Sequence, residues 1–238
     1  MRKVMTLALI LTLAVAVQAQ VTVADFEGGE NNGGWGFGYN DTVVPEGGNP
    51  DGYLNSDGLA VPFPVFKCGF GAEGFTGNYA AEGVTHISAD FICHSSTNQW
   101  IGEFMFCVFL RNDMGTPFDI EDDIYVYPNP ENWTCPDIGE GWVHYDFDIP
   151  SDFVGAPGET PEGWLGGSYW TGGAVFPEDA LFHEVISGVT QLEFWWNHPD
   201  WAAIFSTFNI GADNVVVERE GSVATHQKTL SGVKALFE

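Results

Sequence analysis

Acidic oxygen donors stand near both ends of the strand-forming part of this 238-residue chain. Asp25-Phe26-Glu27-Gly28-Gly29 lies near the start, followed by Gly33-Gly34-Trp35. Gly211-Ala212-Asp213-Asn214-Val215-Val216-Val217 lies near the end. Carboxylates and loop carbonyls of this kind suit calcium, which takes six to eight oxygen ligands. Glu27 and Asp213 form the core of such a set, with Asp25 and Asp57 as additions. The same residues read equally as surface acids at strand ends. Sharing an ion requires the first strand and the last to be neighbours in one sheet, with Glu27 and Asp213 converging.

A second chemistry lies in the nine tryptophans. The C–H faces of pyranose rings stack on exposed aromatic rings, beside polar groups that fix orientation. Trp133, Trp164, Tyr169 and Trp170 fall in loop-like sequence and are the platform candidates, whereas Trp35, Trp100 and Trp142 read equally as core. Trp195 and Trp196 are adjacent on a strand, so they face opposite ways and one belongs to the core. Catalytic signals are weak: no GxSxG, HExxH, P-loop or dinucleotide fingerprint occurs. Asp146 and Asp148 share a strand face and are spaced for acid/base work on a glycoside, yet an outward acidic stripe explains them as well. Asp119, Glu121, Asp122 and Asp123 read as a solvated loop without EF-hand spacing. His183-Glu184 and His198-Pro199-Asp200 lack a nucleophile context.

Composition bounds the partners. Residues 1–19 read as a secretory signal: Arg2 and Lys3, then apolar Val4–Val17, then a small-residue cleavage site at Val17-Gln18-Ala19. No other apolar run approaches spanning length, so the expectation is an exported protein that is not integral to a membrane. Of seven basic residues, removing Arg2 and Lys3 leaves five against 33 acidic, a formal −28. Between Gln20 and Glu218 the only lysine or arginine residues are Lys67 and Arg111. Such a surface repels phosphate backbones and excludes nucleic acid as a partner. Cys68, Cys93, Cys107 and Cys135 carry no zinc spacing, and export permits disulfides. Cys93 with Cys107 and Cys68 with Cys135 is the expected pairing, with free buried thiols as the alternative.

Positioning falls to short strands. Aromatic and β-branched runs broken by Gly, Pro, Asn and Asp predict an all-β domain over 20–218. Strands are expected at Val21–Glu27, Trp35–Tyr39, from Tyr53, at Val84–Cys93 with Ile87, Ala89 and Phe91 on one face, at Glu103–Arg111, Asp123–Tyr127, Trp142–Ile149, Gln191–Asn197 and Phe208–Glu218. Val61–Phe66 holds two prolines and reads as an edge strand or extended loop. Phe118–Pro136 and Ser151–Asp179 read as long loops, and a short helix suits Pro177–Val185. Residues 219–238 shift to basic composition and read as a linker and tail, either a disordered end or a sorting signal that would associate the protein with a cell surface.

Phe26-Glu27-Gly28, Gly34-Trp35, Asn49-Pro50-Asp51-Gly52-Tyr53-Leu54 and Ala212-Asp213-Asn214-Val215, in this order, resemble the jelly-roll carbohydrate-binding modules of bacterial polysaccharide hydrolases. They are also similar to laminin domain IV-like modules, although Asp51 replaces the glycine of that pattern. The resemblance implies an antiparallel jelly-roll-like β-sandwich with a structural calcium held by Glu27 and Asp213. It further implies a secreted, non-catalytic module that binds extracellular carbohydrate. The alternatives are an extracellular structural or adhesion protein that binds another protein, and a polysaccharide-cleaving enzyme on the same kind of fold.

Overall fold

Alternation in runs such as Val143–Asp148 marks the face of a strand that covers the shared core, whereas Cys107–Asn112 and Gln191–Trp195 are buried at every position. The computed structural model describes residues 20–60, 63–168, 175–197 and 206–220. The expected signal segment, Tyr169, Trp170 and the tail beyond Glu220 lie outside these residues. Two antiparallel sheets face each other. The first holds β1 (Val21–Ala24), β2 (Asn40–Val44), β3 (Tyr53–Ala60), β5 (Val84–Ser96), β8 (Val143–Asp148) and β11 (Ser206–Arg219). Its order is β2-β3-β11-β5-β8, with β1 also on β11. The second runs β4-β10-β6-β7-β9, from β4 (Val65–Lys67), β10 (Gln191–Trp195), β6 (Cys107–Asn112), β7 (Ile124–Pro128) and β9 (Trp164–Ser168). Two short helices, α1 (Tyr79–Glu82) and α2 (Phe182–Ile186), pack at the rim.

The core between the sheets is unusually aromatic. Phe91 on β5 sits among Phe66, Phe106 and Phe194 at ring separations of 5.5, 5.0 and 5.2 Å, in edge and tilted arrangements that suit the ring quadrupoles. Ile87, Ala89 and Phe91 point inward as the alternation demands, and so do Tyr145, Phe147 and Ile149. Arg219 closes the domain: it donates to Glu82, Thr22 and the Gly74 carbonyl, tying the end of β11 to β1 and α1. Among the described residues no helix is long and apolar enough to cross a membrane.

Several expectations change. Trp35–Tyr39 forms one isolated bridge, Gly36 to Lys67, instead of a strand, and its Trp35 and Phe37 are inserted into the core. The strand expected at Glu103–Arg111 begins only at Cys107, after a 3-10 turn at Ile101–Glu103 and an isolated bridge from Met105 to Thr134. The helix begins at Phe182, past the Pro177 turn. The sequence reading missed β2 entirely, and it missed β9, which lies inside the supposed 151–179 loop. The disulfide expectation is corrected: all four cysteines are free and buried. Cys93 faces the core from the first sheet, whereas Cys107 lies on the outer face of the second, where its thiol donates to the Pro128 carbonyl. Strands consecutive in sequence were taken for sheet neighbours, and they belong to different sheets. Burial pushes the Cys68 and Cys93 thiols up to about 11 and raises those of Cys107 and Cys135 well above the usual thiol range, which keeps them unreactive.

Thiol titration checks this arrangement. The native protein should react with no equivalents of a thiol reagent and the denatured protein with four. Recovery of two or none after denaturation would contradict it.

Candidate functional site

β11 changes partner midway, and the acidic cluster forms at the change. On one side it pairs with β3 through Ala212 and with β1 from Val215 onward. Asp213 and Asn214 fall in the gap, beside a register shift against β5. Asn214 takes positive φ there, which Asn tolerates better than most residues. The chain leaving β1 and the chain entering β3 both meet this gap. Glu27 Oε1 accepts from the Gly52 N–H at 3.2 Å. Asp213 Oδ2 accepts from the Asn49 N–H at 2.6 Å, and its Oδ1 from the Asn214 N–H at 2.8 Å. Only glycine fits the tightest points: a Cβ on Gly48 would overlap the Gly52 carbonyl, and one on Gly52 would lie 2.6 Å from the Phe26 carbonyl oxygen.

Asp90 on β5 completes the cluster. It accepts from Asn49 and Asn214 side chains at 3.1 and 2.8 Å and bonds His144 at 2.6 Å. Trp142 Nε1 donates to the Gly47 carbonyl and anchors the same turn from β8's side. Burial pushes the Asp213 carboxyl up to about 8; the Asn49 and Asn214 N–H groups oppose the rise, and the charges of Asp90 and Glu27 add to it. A buried carboxylate facing two others calls for a cation. Among the described residues no three His, Cys, Asp or Glu side chains gather at metal-binding distance. The main-chain groups placed on Glu27 and Asp213 are N–H groups, and the all-oxygen side-chain set would suit calcium and not zinc.

The other expected ligands stand apart from this centre. Asp25 turns back on its own loop and accepts from the Glu27 N–H. Asp57 is exposed on β3 opposite Asn40 and Asn209, four residues along the strand from the Tyr53 end where Glu27 docks. Asp90 was missed: alternation placed it outward, but nothing local tells that the 45–52 turn folds over it.

The outer faces of the two sheets differ sharply. The first sheet is polar outside, with His86, Ser88, Asp146 and Asp148 in facing register and His86 paired to Asp148 at 2.8 Å. The second sheet is aromatic outside. Phe109, Tyr125, Tyr127 and Trp195 form a separate apolar cluster there with Phe63 and Cys107. Phe109 stacks on Trp195 at 4.3 Å and on Tyr127 at 4.5 Å. All four rings on strands are buried, Phe109, Tyr125 and Tyr127 at 0–1% exposure and Trp195 at 8%, so this cluster is a second, covered core. Beside the rings lies a buried polar group. Arg111 donates to Asp123 through Nε at 2.7 Å and through its terminal nitrogen, and to Gln191 at 3.2 Å; Glu193 Oε1 is 3.5 Å from Arg111. Trp195 Nε1 donates to Glu193 Oε2 at 2.6 Å. Burial raises both carboxyls, Glu193 and Asp123, and Arg111 opposes the rise.

The expected platform is corrected in part. Trp164 is on β9 and points into the core, edge-on to Phe182 at 5.5 Å, because the supposed loop is a strand. Trp133 is half-buried against Phe147 at 4.9 Å. Tyr169 and Trp170 lie outside the described residues. Trp196 is the core member of its pair and Trp195 the outward one.

No family model and no curated protein matches this sequence. Among solved structures, the chain is similar to a family 29 carbohydrate-binding module, with 11% identity over 84% of this chain and 92% of that one and a TM-score of 0.39. It is similar to an exo-β-agarase at 11% identity, covering 82% of this chain but 24% of that one, with a TM-score of 0.44. It is also similar to the xylan-binding family 22 domain of a Paenibacillus barcinonensis protein, at 13% identity over 83% and 96%, with a TM-score of 0.38. Likeness at this level is one of β-sandwich architecture and carries nothing about a ligand.

The raised Asp213 carboxyl fixes a pH dependence for the chelated protein. The folded state holds this proton more tightly than the unfolded chain, so the contribution is full below the ordinary carboxyl range and is lost as pH rises to about 8. Melting in chelator should fall between pH 4 and pH 8, and Asp213→Asn should flatten that slope. An unchanged slope in the variant would contradict the assignment.

Proposed function

We propose that this chain is a secreted, non-catalytic sugar-binding module whose ligand face is the outer face of the first sheet, with calcium bracing the acidic turn beside it. The observation that carries the reading is the aromatic and polar patch on that face. Tyr53 lies edge-on to Trp142 at 5.4 Å and 5.8 Å from the His94 ring. His94 is exposed and Trp142 half-buried, and Asn55 and Asn209 on the same face each keep an amide oxygen that accepts no hydrogen bond. Stacking area next to a few fixed polar groups is how sugar sites are composed. Export rests on the signal-like residues 1–19, and any cell-surface attachment on residues 219–238.

Calcium supports this reading by stiffness alone. Glu27 comes from the end of β1, Asp213 from β11, and the Gly48–Gly52 turn leads into β3, so one ion would lock three chain segments. Binding only to the folded state raises stability by mass action. Calcium added to chelated protein should therefore raise the melting temperature, and Asp213→Ala should remove most of the rise. Identical melting with calcium and with chelator would sink the calcium assignment.

The ligand face is tested by affinity electrophoresis through soluble polysaccharides. Trp142→Ala should weaken retardation about five- to tenfold, the scale of one lost aromatic contact of about 1–1.5 kcal/mol. Phe118→Ala, at an exposed residue in the loop between β6 and β7 of the other sheet, should leave it unchanged. Full retention by a folded Trp142→Ala protein would remove this face from the site. A wild type that no polysaccharide retards would favour the protein-binding alternative.

A further inference from the structure

The strands of the first sheet hold one lysine or arginine, Arg219, which is 5% exposed and donates to Glu82 and the Gly74 carbonyl. Lys67 and Arg111 belong to β4 and β6 of the other sheet. His94 is the base beside the Tyr53–Trp142 patch, and burial holds its imidazole below the ordinary range, so it is neutral at neutral pH. Carboxylates surround the patch instead. Asp57 lies outward on β3, four residues from Tyr53 and so about 13 Å along the strand. Glu46 precedes Gly47, whose carbonyl accepts from Trp142 Nε1. Glu140 lies two residues before Trp142. All three acids are exposed, and the carboxylates of Asp57 and Glu46 take no hydrogen bond or ion pair among the described residues.

A glycan on this patch meets stacking area bordered by negative charge that no neighbouring cation offsets. An anionic sugar is repelled there, and a neutral one gains nothing from the charge. A protonated amine gains most, because an ammonium offers three donors and pairs with carboxylates through charge-assisted hydrogen bonds. Acetylating that amine removes its charge and the gain with it. Resting on the sugar-binding reading, we infer that this patch prefers amino-sugar polymers with free amines over their hydroxylated or N-acetylated counterparts, with Trp142 and Tyr53 carrying the ring and Asp57 and Glu46 the amines.

Calorimetric titration with matched oligosaccharides tests this. Glucosamine and galactosamine oligomers, at mildly acidic pH where their amines are protonated, are compared with their N-acetylated and plain-hydroxyl counterparts. The wild type should bind at least one amino-oligomer about fivefold or more tighter than its counterparts, the scale of one or two exposed ion pairs. The preference should shrink at about 1 M salt, where the Debye length is about 3 Å. Glu46→Gln combined with Asp57→Asn should remove the preference and leave binding of the hydroxyl oligomer unchanged. Glu162→Gln combined with Glu178→Gln makes the same charge change at exposed residues before β9 and before α2, and should keep the preference. Equal loss in both double variants would assign the preference to bulk charge and overturn the inference. Amino-oligomers that bind no tighter than hydroxyl ones would overturn it as well, and either result leaves sugar binding standing. No binding of any oligomer would also overturn it, and sugar binding with it if no soluble polysaccharide retards the protein. The wild-type comparison decides the matter even if a double variant fails to fold.

Discussion

The ladder of β11 is the constraint on which the rest depends. Its fourteen residues pair with β5 along one edge and with β3 and then β1 along the other. That hand-over joins the beginning, the middle and the end of the domain in one sheet. It also opens the gap at Asp213–Asn214, where main-chain groups cannot find a strand partner on the second edge. The chain fills the gap with the 45–52 turn, and side-chain amides and carboxylates replace the missing ladder bonds. Unpaired buried backbone groups are costly, so such substitution is what a partner change demands. Three carboxylates in one buried place are the electrostatic consequence.

The second sheet follows from the first by packing. Phe91 on β5 contacts rings from β4 and β10, so the first sheet's inward residues set how the second sheet lies on it. Once Leu192 and Phe194 face the core, Gln191, Glu193 and Trp195 must face outward, and β6 and β7 bring Arg111, Phe109, Tyr125 and Tyr127 beside them. The outward rings of the second sheet are nearly as buried as the inward ones, so a substitution at either tests folding.

How much could be read beforehand depended on whether the signal was local. Alternation in Val84–Cys93 and Trp142–Ile149 gave faces that the structure keeps, because a two-residue period needs no knowledge of neighbours. Glu27 and Asp213 were legible because the first and last strands could be expected to pair, although Asp213 falls in the middle of β11 and Glu27 just past β1. Trp164 misled because Gly163, Gly166 and Gly167 around it resemble loop sequence, while on β9 Gly166 makes room for the Phe176 ring. The aromatic face stayed hidden for a related reason. Phe104–Leu110 is apolar at every position, which looks like a strand buried on both sides, and the outward partners Tyr125 and Trp195 come from distant parts of the chain. Asp90 and Asp123 depend on long-range folding of a turn and a pairing, which no period reveals.

The most direct measurement of the central claim is the indole N–H spectrum of the protein titrated with a neutral oligosaccharide. The Trp142 Nε1–H, held by the Gly47 carbonyl, should shift with the fraction bound, while those of Trp195, buried on the second sheet, and Trp164, in the core, stay still. Shifts confined to Trp195, or an unmoved Trp142 signal under conditions where binding is measured independently, would contradict the assignment of the first sheet's outer face as the ligand site.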